Sequence, residues 1–188
     1  MTETERKQAA IAFAKKWKDR GDEKSDTQSF WIELLTSIYG ASGDSIKFEK
    51  RVKIDGTTKF IDGYIPDTKV LIEQKSIDVD LDHAGNQSDK ISLTPFKQAE
   101  RYAEKLNYDE TPRWIVTSNF REIRVYDRNK RHEKPEVILL KDLPKEYYRL
   151  QFLVNAEDET AKKRTGSQHT GRSNRRRSIR CASRTICG

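Results

Sequence analysis

Hydrophobic positions in the first forty residues recur at helical spacing. Ile11, Phe13, Ala14 and Trp17 lie close to one stripe amid Lys and Glu, which predicts an amphipathic helix over residues 3–19. The polar run RGDEKSD breaks it. A second helix opens at SDTQSFWIELLTSIYG, with Ser25 and Gln28 at capping-box spacing. Phe30, Trp31, Leu34, Leu35 and Ile38 form its apolar face, and Gly40 ends it.

The pattern then changes to short alternating or continuous apolar runs. Residues 46–54, 60–65 and 69–76 read as three strands, the first two joined by the Asp55-Gly56 hairpin signal. A polar loop covers 77–92. Thr94 caps a further helix with Pro95 at its first position, and Phe96, Ala99, Ala103 and Leu106 share one face of it. Residues 113–120 are apolar on both parities, as expected of an interior parallel strand. Strands at 122–127 and 136–140 and a helix at 144–154 complete the order α-α-β-β-β-α-β-β-β-α. This predicts an α/β fold, a mixed sheet flanked by helices.

From about residue 158 the apolar periodicity stops. The chain therefore divides into a domain over 1–157 and a basic tail over 158–188. The tail reads as disordered, because it cannot bury enough apolar surface to offset its ordering entropy. Charge sharpens the division. The net charge is +7, but nine of the 37 Lys and Arg and none of the 30 Asp and Glu lie in residues 161–188, leaving residues 1–160 at −2. Global basicity is thus no argument for a nucleic-acid surface on the body. Both cysteines, Cys181 and Cys187, lie in the tail, which excludes a disulfide framework or thiolate zinc site from the body. No apolar run suits a membrane span and no secretory signal opens the chain, so a cytoplasmic location is expected.

One cluster of charges sits where charge is costly. In FIDGYIPDTKVLIEQKS, Glu73 and Lys75 lie two apart on an apolar strand and so project to the same face, with Leu71. The preceding strand can bring Asp62 alongside through the turn at 66–68. Such groups require pairing or a metal. Two carboxylates, with the Gln74 carbonyl as a third ligand, suit magnesium. Bound there, the cation would activate a water against a phosphodiester, and Lys75 would orient or deprotonate that water. A cross-strand salt bridge on a half-exposed sheet accounts for the same residues, and the pattern alone does not choose.

A resemblance does choose. Glu33 in a helix, Asp62, Glu73-x-Lys75 and then QAERY in the next helix resemble the PD-(D/E)xK nuclease core, with Gln98 and Tyr102 as the Q-x-x-x-Y element. FIDGYIPDTKVLIEQKS, LTPFKQAERYAEKL and PRWIVTSNFREIRVYD are together similar to the N-terminal region of MmeI-type (type IIL) restriction–modification enzymes and related large DNA methyltransferases, over about residues 8–157. The resemblance implies a magnesium-dependent endonuclease of double-stranded DNA with Asp62, Glu73 and Lys75 catalytic. Glu33 and Gln98 would orient the metal or its ligands, and other restriction–modification or defence subunits would be partners. In that family the chain continues into a helical connector and an adenine methyltransferase that uses S-adenosylmethionine. Here no Gly-rich cofactor loop and no N-P-P-Y follows, and residues from about 160 read as a foreign or frame-shifted extension. Two alternatives to an active nuclease stand beside it: a catalytically silent module that docks DNA or a partner, and an inactive gene fragment.

Other charged features have plainer readings. Asp78, Asp80, Asp82 and Asp89 match part of a calcium-loop spacing, but His83 stands where the turn needs glycine, so a solvated acidic loop is expected. His83, His132 and His169 show no ligand spacing. Arg121, Arg124, Arg128, Lys130 and Arg131 form either a phosphate-contacting edge or a solvated one paired to Glu122 and Asp127.

Overall fold

The structure, a computed structural model, describes residues 1–86 and 91–156. Helix α1 (Glu3–Trp17) starts at a capping box that the sequence reading did not single out. The Thr2 hydroxyl accepts from Glu5 N, and the Glu5 carboxylate accepts from Thr2 N. Helix α2 (Glu23–Glu33) starts earlier than expected, because Asp22 rather than Ser25 is its cap. Asp22 Oδ1 accepts from the backbone N–H groups of Lys24 and Ser25, at 3.1 and 2.9 Å. A π-helical turn, Leu34–Ile38, continues α2 until Gly40 reverses the chain at a φ of 69°.

Strands β1 (Lys47–Ile54) and β2 (Thr57–Ile65) form the expected hairpin. Asp55 and Gly56 both have positive φ, 49° and 79°, as a two-residue type I′ turn demands. Strand β3 (Val70–Gln74) is buried at all five residues. The predicted 77–92 loop holds half of a small two-stranded ladder, β4 (Gly85–Asn86) with β5 (Ser92–Leu93). Helix α3 (Pro95–Ala103), capped by Thr94, leads to β6 (Trp114–Ser118), β7 (Glu122–Asp127) and β8 (Glu136–Leu139). The predicted final helix is a single α-turn, Leu143–Glu146, followed by 3-10 helix over Tyr147–Leu153.

The six long strands make one mixed sheet in the order β1-β2-β3-β6-β7-β8. Only β3 and β6 are parallel, and α3 lies in the crossover between them. Their central place explains why 113–120 is apolar on both parities: helices cover both faces. On one face α1, α2 and the C-terminal turns bury Phe13, Trp17, Phe30, Trp31, Ile72 and Val116. On the other, α3 brings Ala99, Tyr102 and Ala103 onto Ile61, Tyr64, Leu71 and Ile115. Among the described residues, no helix is long and apolar enough to cross a membrane. The basic segment 158–188, with its cysteines and His169, lies outside the described residues.

Candidate metal-binding active site

The β2–β3 ladder stops at the pair Gly63↔Ile72. One residue further on, Asp62 takes over its role with a side chain: Asp62 Oδ2 accepts from Gln74 N at 2.7 Å. This carboxylate therefore sits where the two strands part. Glu73 is on the α3 face of β3 with a side chain 1% exposed, and its Oε1 accepts from Lys75 Nζ at 2.7 Å. Asp62, Glu73 and Lys75 are thus brought to one place. The Gln74 side chain points to the opposite face, where its Oε1 accepts from Trp31 Nε1 at 2.9 Å. Only its backbone is left on offer to the cluster.

Burial dominates the electrostatics. It pushes Asp62 up to about 6, against the lowering pull of the Lys75 ammonium. Glu73 is raised well above the usual carboxylate range, first by burial and then by the Asp62 charge. Burial also works against the Lys75 charge, but Glu73, Glu23 and Asp62 outweigh it and hold its pKa above the ordinary lysine value. Lys75 is therefore an ammonium that donates, which disfavours the proton-accepting role left open from the sequence. From α3, Gln98 Nε2 donates to Tyr102 OH at 3.0 Å, and the Tyr102 hydroxyl feels the Glu73 charge. Two buried acceptors here have no hydrogen-bond donor: Glu73 Oε2 and Gln98 Oε1. A buried acceptor without a donor is costly, and a cation answers that need.

Glu33 is a correction. It lies at the far end of α2, ten residues and about 15 Å of helix axis from Glu23. Its Oε2 accepts from Lys16 Nζ at 2.6 Å and Trp17 Nε1 at 3.2 Å, so it braces α2 against α1. The helix acid that reaches the cluster is Glu23, whose Oε1 lies 3.3 Å from Lys75 Nζ. The α2 start is docked by two contacts: Glu23 N donates to Ser76 Oγ, and Ile77 N donates to Gly21 O. Gly21 is required because a Cβ there would come 2.3 Å from the Phe120 ring. The sequence signal for Glu23 was available in Asp22, a good cap residue just before it, but Ser25 competed for that role.

Most of the other charged features among the described residues are internally paired. Asp82 makes two bonds to Arg124, at 2.6 and 3.0 Å, and Glu122 makes a further ion pair with it at 2.8 Å. Asp78 meets Arg121 at 3.4 Å, and Asp80 meets His83 at 2.7 Å. The acidic loop thus clasps β7 through Asp82 and Arg124, while Asp89 lies outside the described residues. Arg128 donates to Pro112 O, and Lys130 lies 3.6 Å from Glu133. Asp127 pairs with Arg113 at 3.8 Å. Among the described residues, no three or more His, Cys, Asp or Glu side chains stand close enough together to hold a metal by themselves.

Fold and site together define a mixed α/β domain with a buried acid–lysine cluster at the end of a central ladder. The chain belongs to the family described as "MmeI, N-terminal domain", whose model matches residues 8–169, and this relates it to restriction–modification proteins. No curated protein and no solved structure matches it.

Proposed function

We propose that this chain is the nuclease part of a restriction–modification protein, cleaving phosphodiester bonds of double-stranded DNA with magnesium. The observation that carries the reading is the Glu73 carboxylate: fully buried, one oxygen on Lys75 and the other without a donor, beside a second carboxylate. A polar group so placed makes sense as a ligand. The order β1-β2-β3-α3-β6, with β3 parallel to β6, supports a PD-(D/E)xK core. Family membership supports the restriction context.

The residues fit the metal. Asp62 and Glu73 would supply two carboxylate oxygens and Gln74 a backbone carbonyl, a protein share that leaves the rest of an octahedron to water and phosphate. A divalent cation held there supplies Lewis-acid chemistry: it activates a water and offsets charge on the phosphodiester. Lys75, held between Glu73 and Glu23, keeps its proton and directs its N–H groups at the attacking water or the phosphate oxygens. Gln98 donates to the Tyr102 hydroxyl, which lies close enough to Glu73 to feel its charge.

The absence, among the described residues, of a third metal-capable side chain favours a second reading, a silent module that docks DNA or a partner methyltransferase. Nicking of supercoiled plasmid by the full chain separates the two. The expected result is magnesium-dependent nicking, lost at least a hundredfold in Glu73→Gln and Lys75→Ala. Equal nicking by all three proteins would leave only a contaminant, and none by the wild type would favour the silent module.

A further inference from the structure

The hairpin of β1 and β2 is longer than its place in the sheet requires. β3 ends at Gln74, and its ladder with β2 ends at Gly63↔Ile72. Residues 57–60 of β2, paired with 51–54 of β1, run on past that end by about 14 Å at ordinary strand rise. Asp62, Glu73 and Lys75 meet at this same end, so the overhang stands beside the cluster.

The two faces of the overhang differ. On one, Val52, Ile54 and Ile61 pack against Ala99, Tyr102 and Ala103 of α3. Asp55 in the turn pairs with Arg101 of α3 at 3.1 Å, so the overhang is anchored to its tip. Alternation turns Arg51 and Lys53 away from α3. The register sets Phe60 opposite Arg51 and Thr58 opposite Lys53. All four are exposed, the Phe60 residue by 48%. Neither the Arg51 nor the Lys53 side chain has an ion pair or hydrogen bond among the described residues. Lys50, on the same strand, is paired with Glu110 at 2.6 Å, and Arg124 on β7 with Asp82. Two like charges about 7 Å apart on one strand face repel each other, and a polyanion relieves them.

We propose that this outer face is an arm that lies along the DNA backbone beside the cation site: Arg51 and Lys53 contact phosphates, and Phe60 packs against the sugar between them. The proposal names the surface that meets the substrate, and it rests on the nuclease reading above. Charge complementarity selects the occupant, since an apolar partner would strip water from two cations and offer no counter-charge. Backbone contacts of this kind fix the position of a duplex without reading its sequence. Two of them leave the larger share of affinity to other cations of the chain.

The test uses the full chain in EDTA, so that no metal is involved. Fluorescence anisotropy with a short DNA duplex at several salt concentrations compares the wild type, Arg51→Gln/Lys53→Gln, and Lys7→Gln/Lys15→Gln. The last removes the same charge from exposed positions on α1. Loss of two phosphate contacts should make the slope of log affinity on log salt shallower by about 1.8 in the arm variant and leave it unchanged in the α1 variant. A second measurement needs no variant: the duplex should protect Lys53 of the wild type from an amine-acetylating reagent, read by mass spectrometry. An arm variant with the wild-type slope, equal losses in both variants, or a Lys53 labelled equally with and without duplex overturns the arm. Magnesium-dependent plasmid nicking alongside any of these would leave the nuclease reading standing without it. A shallower slope and a protected Lys53 in a protein that never nicks would instead keep the arm as a DNA contact and sink the nuclease reading.

Discussion

Asp62 is the residue in which stability and chemistry oppose each other. Its carboxyl binds a proton more tightly in the fold, at about 6, than in an unfolded chain, where 3.8 is usual. The stability tied to that proton is therefore fully present below about pH 4 and is lost as pH rises through 6. Glu73 is raised for the same first reason, burial, and adds to the loss in the same direction. Asp62→Asn keeps an oxygen for Gln74 N and removes the buried charge. Urea unfolding without magnesium should find this variant more stable than the wild type at pH 7.5, by about 2 kcal/mol, and little different at pH 4. A variant less stable at pH 7.5 would show that the Asp62 charge is not strained by its surroundings. At the same scale, Glu33 and Glu23 show how one helix can carry two acids with different tasks, one on Trp17 and one on Lys75.

At the scale of elements, the start of α2 is what delivers Glu23. Asp22 caps it, Gly21 lets the chain pass under Phe120, and Ser76 and Ile77 bind it from the end of β3. Gly21→Ala sets a methyl group 2.3 Å from the Phe120 ring, which itself sits in the left-handed region at a φ of 67°. Phe120 packs edge-on against Phe30 at 5.1 Å and stacks on Trp17 at 6.1 Å, so it has little room to retreat. The expected cost is about 2–3 kcal/mol in denaturant unfolding, in the range of core overpacking. Asp22→Ala should cost about 1 kcal/mol through the lost cap alone. Comparison of the two measures how much of the docking comes from the aromatic contact.

For the whole molecule, charge and site lie in different places. The body carries −2 and the last 28 residues carry nine Lys or Arg, so duplex affinity should follow the basic end rather than the candidate site. Removing residues 161–188 should flatten the salt dependence of DNA binding. The slope of log affinity on log salt falls by about 0.9 for each phosphate contact removed. Fluorescence anisotropy with a short duplex at several salt concentrations measures it, and an unchanged slope would place the phosphate contacts on the body. Glu73→Gln, by contrast, should leave that slope as it is, since it removes no phosphate contact.

Much of this was legible along the chain because it is written in local patterns. Apolar periodicity marked α1, α2, α3 and the strands, and Asp55-Gly56 marked its turn because both residues accept the positive φ of a type I′ hairpin. The alternation of β3 placed Glu73 and Lys75 on one face, and a turn of three residues put Asp62 within reach. Competing caps hid the true start of α2, since Asp22 and Ser25 each suit that role and only the docking of Gly21 under Phe120 selects between them. The choice of Glu23 over Glu33 depends on which end of α2 meets β3, a matter of packing that no local spacing encodes.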